Sequence, residues 1–180
     1  MTLIKPQKLK KGDTIALISP SAGLAGIFPH RLNNAIKALQ NLGFKIKEYP
    51  TTRKTEDWSS TTAEERAKDI MNAFLDKEVK AIICTIGGYV SNQTLPYLDF
   101  QEIRKNPKIF CGYSDISVLH YAFLTQSKLV TFYGPCAMIQ FAEYPKPLDY
   151  TLEYFNKAVS SAKPIGKVKP SKEWTDEVLD

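Results

Sequence analysis

The chain has 180 residues, 43% of them hydrophobic and 24% charged, with 9 Gly and 11 Pro. These values suit one globular domain with a short tail and exclude collagen-like, low-complexity and disordered chains. The net charge is +5, but Lys5, Lys8, Lys10 and Lys11 all lie in the first eleven residues, and without that segment the balance falls to +1. The basic excess is terminal, so the clustered patch that nucleic-acid binding needs is not expected.

Apolar runs such as Ala81-Ile82-Ile83-Cys84 are too short to span a bilayer. The N-terminus, Met1-Thr2-Leu3-Ile4-Lys5-Pro6, lacks the apolar centre of a signal peptide, and a cytoplasmic protein is the expectation. Three cysteines, Cys84, Cys111 and Cys136, show no CxxC spacing, so neither a disulfide framework nor a metal site is expected. The histidines are His30 and His120, and any Ser-His chemistry inside the chain must use one of them.

Strand and helix signals alternate along the chain. Thr14-Ile15-Ala16-Leu17-Ile18 predicts a strand, broken by Ser19-Pro20-Ser21-Ala22-Gly23. From Pro29 the spacing of Leu32, Ile36 and Leu39 predicts a helix ending at Asn41-Leu42-Gly43. Phe44 to Tyr49 reads as a second strand and Thr51 to Thr61 as a polar loop. Thr62 and Glu65 form a candidate capping box for a helix with Ala67, Ile70 and Phe74 on its apolar face. Lys80 to Thr85 is a third strand running into Gly87-Gly88, and short helices are expected over Asn92 to Leu98 and Phe100 to Lys105. Lys108 to Gly112 is a fourth strand. Ser114-Asp115 then opens a helix that offers Ile116, Leu119, Tyr121 and Phe123 for packing. Leu129 to Tyr133 predicts a fifth strand and Asp149 to Ser160 a last helix, after which the composition is that of a linker.

Strands separated by helices imply crossover connections. The expected class is α/β, a mainly parallel sheet with helices on both faces in three layers, flavodoxin-like or Rossmann-like. Ligands of such sheets bind beyond the carboxyl ends of the strands. The loops Ser19 to Gly23, Thr85 to Asn92 and Gly112 to Asp115 lie there.

Cys111-Gly112-Tyr113-Ser114-Asp115 has the mechanics of a nucleophile elbow: a buried strand ends, a glycine permits a sharp turn, and a serine meets a helix N-terminus. The Asp115 amide would be one oxyanion donor. The same residues also suit a routine helix cap, and the full GxSxG pattern is absent because Ser117 stands near the second glycine's place. Gly87 and Gly88 are either a tight turn or an anion-binding nest. They match neither GxGxxG nor a Walker loop, so no nucleotide cofactor is implied. His120 lies six residues after Ser114 on one predicted helix, about 9 Å along its axis and about 120° around it, too far for a direct hydrogen bond. A nucleophile without an evident base is what remains. Trp58 and Trp174 both sit in polar segments.

Taken in order, Ile18-Ser19-Pro20-Ser21, Glu65-Arg66-Ala67-Lys68-Asp69, Ile86-Gly87-Gly88-Tyr89, Gly112-Tyr113-Ser114-Asp115 and Thr131-Phe132-Tyr133-Gly134-Pro135 resemble the LD-carboxypeptidase family of serine peptidases. Ser91-Asn92-Gln93 with Leu95-Pro96-Tyr97-Leu98-Asp99 looks most like the branch that contains the microcin C immunity peptidase, departing from it at Val90, where Asn is usual. The resemblance implies Ser114 as nucleophile of a Ser-His-Glu triad. It implies an oxyanion hole from the amides of Asp115 and of Gly87 or Gly88, and no cofactor. It also implies a small peptide or peptidyl- or aminoacyl-nucleotide substrate, no membrane partner, and a homodimer of the full-length enzyme. The family's Glu and His belong to a C-terminal domain. Residues 1–162 are therefore expected to be the nucleophile-bearing domain and 163–180 a linker towards the second, with Glu173-Trp174-Thr175-Asp176-Glu177 leading into it. On this reading the 180 residues alone are inactive. A non-catalytic module that binds a small carboxylate is the alternative.

Overall fold

The computed structural model describes residues 2–172 and 174. Its elements, in order, are β1 (Thr14–Ile18), α1 (Leu24–Ile27), α2 (Pro29–Asn41), β2 (Lys45–Glu48), α3 (Ala63–Leu75), β3 (Val79–Cys84), a 3-10 segment (Ser91–Tyr97) and α4 (Phe100–Lys105). Then come β4 (Ile109–Gly112), a 3-10 turn (Ser114–Ile116), α5 (Ser117–Ala122), a π-turn (Phe123–Ser127), β5 (Phe132–Tyr133), α6 (Ala137–Gln140) and α7 (Asp149–Val159). All five strands are parallel, in the order β2-β1-β3-β4-β5. That is the doubly wound flavodoxin-like order, and the expected class holds.

Alternation along the strands divides the core into two layers. Ile15, Leu17, Ala81 and Ile83 face Leu32, Ala35 and Leu39 of α2 together with Phe155 of α7. Ala16, Ile18, Ile82 and Phe110 face Ala67, Ile70 and Phe74 of α3 together with Leu119 and Phe123. Phe110 and Phe123 meet edge to face with centroids 4.8 Å apart, as do Phe74 and Phe123 at 5.3 Å. Cys84, Cys111 and Cys136 are free thiols buried among these side chains. Burial pushes all three upward, Cys136 to about 11, so they remain protonated, inert packing groups.

Several sequence expectations need correction. The fifth strand shrinks to Phe132–Tyr133, because the backbone of residues 128–130 is claimed by the N-terminal arm: Ile4 donates to the Lys128 carbonyl at 2.8 Å and accepts from Val130 at 2.9 Å. Tyr121 does not pack; it is 71% exposed, since two residues rotate it by about 200° from the buried Leu119. Half of the capping box forms. The Thr62 hydroxyl accepts from the Glu65 amide, whereas the Glu65 carboxylate turns to Thr61 and Lys54. The short helices α1 and α6 were not expected.

At the amino end of the strands the Asp76 carboxylate accepts from Lys47 at 2.5 Å, from Tyr49 at 3.0 Å and from the Glu78 amide at 3.0 Å. The Lys47 bond, more than any other contact, holds its pKa at about 2. A carboxyl depressed in the folded state stabilises the fold above its unfolded pKa, and the contribution disappears as pH falls through the folded value. Acid unfolding should therefore steepen between about pH 4 and about pH 2. Asp76→Asn should flatten that segment in urea titrations; an unchanged profile would refute the assignment. Among the described residues no helix is long and apolar enough to cross a membrane.

Candidate active site

The three loops expected at the carboxyl edge of the sheet do converge. Ser114 lies two residues after the end of β4, is exposed, and adopts φ +63°, in the left-handed region that non-glycine residues rarely occupy. Its amide lies 3.5 Å from the Tyr133 hydroxyl, and its carbonyl accepts from Ser117 Oγ at 2.6 Å. The turn thus presents Oγ outward at the start of the helical run into α5.

Because β3 and β4 are neighbours, the glycine loop stands against this turn. A Cβ placed on Gly87 would lie 3.0 Å from Ser114 Cβ, 3.3 Å from Ser114 Oγ and 3.3 Å from the Asp115 nitrogen. Gly88 has φ +149°, and a Cβ there would fall 2.4 Å from Ser21 Oγ and 2.8 Å from the Ala22 nitrogen. Gly88 needs glycine for both close approach and conformation, whereas a Cβ at Gly87 would press on Ser114 and ask it to give by a few tenths of an ångström. The Gly87 carbonyl accepts from the Ala22 amide at 3.1 Å. In a planar trans peptide the Gly88 N–H therefore points to the side away from Ala22.

The Asp115 side chain is turned from solvent into the loop cluster. One carboxylate oxygen accepts from Ser21 Oγ at 2.5 Å, from the Ser91 amide at 2.9 Å and from Ser91 Oγ at 2.7 Å. Burial alone would raise this carboxyl, but the hydrogen bonds from Ser21 and Ser91 outweigh it and hold the pKa below the usual carboxylate value. Asp115 is thereby fixed as an anion, and its backbone N–H is held beside Gly87.

Beneath the loops lies Arg66, 1% exposed. Nε donates to the Thr61 carbonyl at 2.9 Å, one terminal nitrogen to Pro20 at 2.8 Å and Val90 at 2.9 Å, and the other to Gln93 Oε1 at 2.7 Å. One guanidinium thus ties together the loops after β1, β2 and β3. Burial lowers its pKa, opposed by the Asp115 charge.

The histidines are placed elsewhere. His120 Nε2 is 2.9 Å from the Gly112 carbonyl and Nδ1 is 2.9 Å from Thr131 Oγ1. A carbonyl only accepts, so Nε2 carries the proton and Nδ1 takes the threonine hydroxyl's hydrogen bond. Burial lowers its pKa, only partly countered by the Gly112 bond. Both nitrogens of this neutral ring are occupied by partners other than Ser114. His30 is exposed and lies edge-on to Phe28 at 6.2 Å.

Sequence reasoning placed Ser114, Asp115, Gly87 and Gly88 but missed Ser21 and Ser91 as partners of Asp115, and Arg66 as the tie between loops. Phe132, Tyr133, Gly134 and Pro135 line a neighbouring cavity of roughly 590 Å³ and not the Ser114 cleft, with which that cavity shares only Tyr113. That cleft, roughly 540 Å³, extends from Ser114 past Gly87 and Gly88 to Leu24 and Trp58. No cluster of three or more metal-ligating side chains occurs among the described residues.

Comparison with known proteins gives this arrangement its context. YocD of Bacillus subtilis is 40% identical over 172 residues, covering 94% of this chain and 51% of its own. The microcin C7 self-immunity protein MccF of Escherichia coli is 35% identical over 173 residues, covering 96% and 50%. The murein tetrapeptide carboxypeptidase of Pseudomonas aeruginosa is 33% identical over 128 residues, covering 68% and 39%. The structure of MccF in complex with aspartyl sulfamoyl adenosine superposes with a TM-score of 0.85 at 36% identity, covering 88% of this chain and 48% of that one. The chain spans about half the length of the curated relatives it matches. The family model for the LD-carboxypeptidase N-terminal domain matches residues 15–134, and with these relatives it shows that the chain belongs to the LD-carboxypeptidase family.

Proposed function

We propose that this chain carries the nucleophile half of a serine carboxypeptidase. Ser114 attacks the scissile carbonyl, and the N–H groups of Asp115 and Gly88 receive the oxyanion, with Gly87 supplying the close approach. The observation that carries this reading is the left-handed Ser114 at the end of β4, with the Asp115 amide and Gly87 beside it. Preorganised amides aimed at a developing oxyanion are worth orders of magnitude in rate.

The Ser114 proton must pass to a base, and His120 cannot take it while both its nitrogens are engaged. A His-Glu pair from a second domain beyond residue 180 would serve, with residues 163–180 leading to it. Attack then gives an acyl-serine and expels the amine, which leaves with the proton returned by the base. Water, deprotonated by the same base, releases the acyl group and restores Ser114. The substrates that fit are muropeptides or peptidyl- or aminoacyl-nucleotides, in line with the names of the relatives.

The test compares residues 1–180 with a protein extended by the second half of the family's length, assayed on a murein tetrapeptide and on an aminoacyl sulfamoyl adenosine. Only the extended protein should turn over. Full activity from residues 1–180 would place a base inside the chain and overturn the division of labour. Inactivity of the extended protein on both substrates would favour the carboxylate-binding alternative.

A further inference from the structure

The far end of the Ser114 cleft is built from an unusual hairpin. Glu56 and Ser59 exchange backbone hydrogen bonds of 2.9 Å in both directions, which leaves Asp57 and Trp58 as its two-residue tip, with Asp57 at φ +47°. Trp58 is 81% exposed, and Tyr89, which also lines the cleft, is 86% exposed. Two large aromatics exposed at the rim of one cavity offer a ligand their ring faces.

The hairpin is held firmly in place. Ser60 donates through its amide to Ser21 at 2.9 Å and through its hydroxyl to Ser19 at 2.7 Å, and the Thr55 hydroxyl donates to the Gly23 carbonyl. A Cβ on Gly23 would come within 2.6 Å of the Lys54 carbonyl oxygen and 2.8 Å of that of Ser59, so glycine alone lets the two loops close. The backbone that carries Trp58 is therefore preorganised, so a ligand orders only the side chain.

Charge then selects the ligand. Among the described residues that line the cleft Asp57 alone is charged, in a chain whose net charge is +5. No other described side chain takes up its carboxylate. An aromatic face attracts a cation through its quadrupole, and a carboxylate beside it completes an ammonium site. A phosphate would find no lysine or arginine there.

Distance narrows the chemistry further. The hairpin is bonded to the loop that follows β1, and Ser114 follows β4, two strand positions away in the sheet, which is about 10 Å at the usual spacing. An extended peptide of about three residues covers that span. We infer that Asp57 and Trp58 form a subsite for an ammonium group at the far end of an extended peptide whose scissile carbonyl rests at Ser114, with Tyr89 lining the same cleft. This subsite rests on the Ser114 reading for its orientation, and it favours peptides over nucleotides as the substrate class.

Calorimetric titration of the 180-residue chain carrying Ser114→Ala tests it, since nothing is then consumed. Free murein tetrapeptide should bind at least tenfold tighter than the same peptide with its amines acetylated. Asp57→Asn, which keeps a residue tolerant of positive φ, should shrink that ratio to twofold or less. Trp58→Ala should weaken the free peptide at least fivefold, and Trp58→Phe should restore most of the loss. Equal affinity for the two peptides, no binding of the free one, or a ratio untouched by Asp57→Asn overturns the subsite. So does adenosine monophosphate binding more tightly than the peptide in a Trp58-dependent way. The titration reads binding without Ser114 chemistry, so a missing hydrolase activity would refute the proposed function and leave this result to stand or fall separately.

Discussion

Replacing Ser114 by Ala in the extended protein should lower kcat by about four to six orders of magnitude. Nothing else at the site can take over the attack. The thiols of Cys84, Cys111 and Cys136 are buried, and Asp115 is held by three hydrogen bonds from Ser21 and Ser91. The amides proposed as the oxyanion hole would survive, so substrate affinity should stay within about threefold and a residual rate above that in water should persist. Alanine at φ +63° is strained much as serine is, so the thermal midpoint should not move enough to explain the loss. Single-turnover assays on the variant decide it. Retention of more than about one per cent of the rate would be far outside what loss of a nucleophile allows, and would remove Ser114 from the mechanism.

Arg66→Ala should cost about 3–5 kcal/mol of folding stability, the scale for dismantling a buried charged network. The side chain is 1% exposed and its four hydrogen bonds end on the carbonyls of Thr61, Pro20 and Val90 and on Gln93. Deletion strands three carbonyls and opens a void. Arg66→Met would restore volume without donors and should still lose about 2 kcal/mol. Arg66→Lys should fall between the wild type and Met, because one ammonium cannot span the fork. Equilibrium urea unfolding measures all three. A loss below about 1 kcal/mol for Arg66→Ala would mean that water or relaxation satisfies these carbonyls, and that Arg66 does not tie the loops together.

Much of this molecule was legible in one dimension. Short apolar runs placed four strands within a residue or two, helical spacing identified α2, α3 and α7, and the alternation of strands with helices implied the parallel three-layer sheet. That His120 bonds to Gly112 and Thr131 rather than to Ser114 agrees with the six-residue spacing, which on a helix sets the two about 120° apart. The Gly-Tyr-Ser sequence at a strand end marked the turn, since local sterics confine left-handed geometry to a few residues.

What stayed illegible depends on neighbours distant in sequence. Ser21 and Ser91 converge on Asp115 only because β1, β3 and β4 lie side by side, an order that periodicity does not encode. Arg66 reads as one more charge on an amphipathic helix until the packing of α3 under three loops buries it. The fifth strand was overestimated because an arm more than a hundred residues earlier competes for its backbone groups. Trp58 was only a tryptophan in a polar segment; the closure of Gly23 against its hairpin turned it towards the Ser114 cleft. Local chemistry determined the elements and the elbow by itself, because those depend on each residue's own backbone and immediate spacing. The partners of Asp115, the role of Arg66 and the shape of the cleft were decided by tertiary structure, because a hydrogen bond or a buried charge exists only when folding brings its second partner within reach.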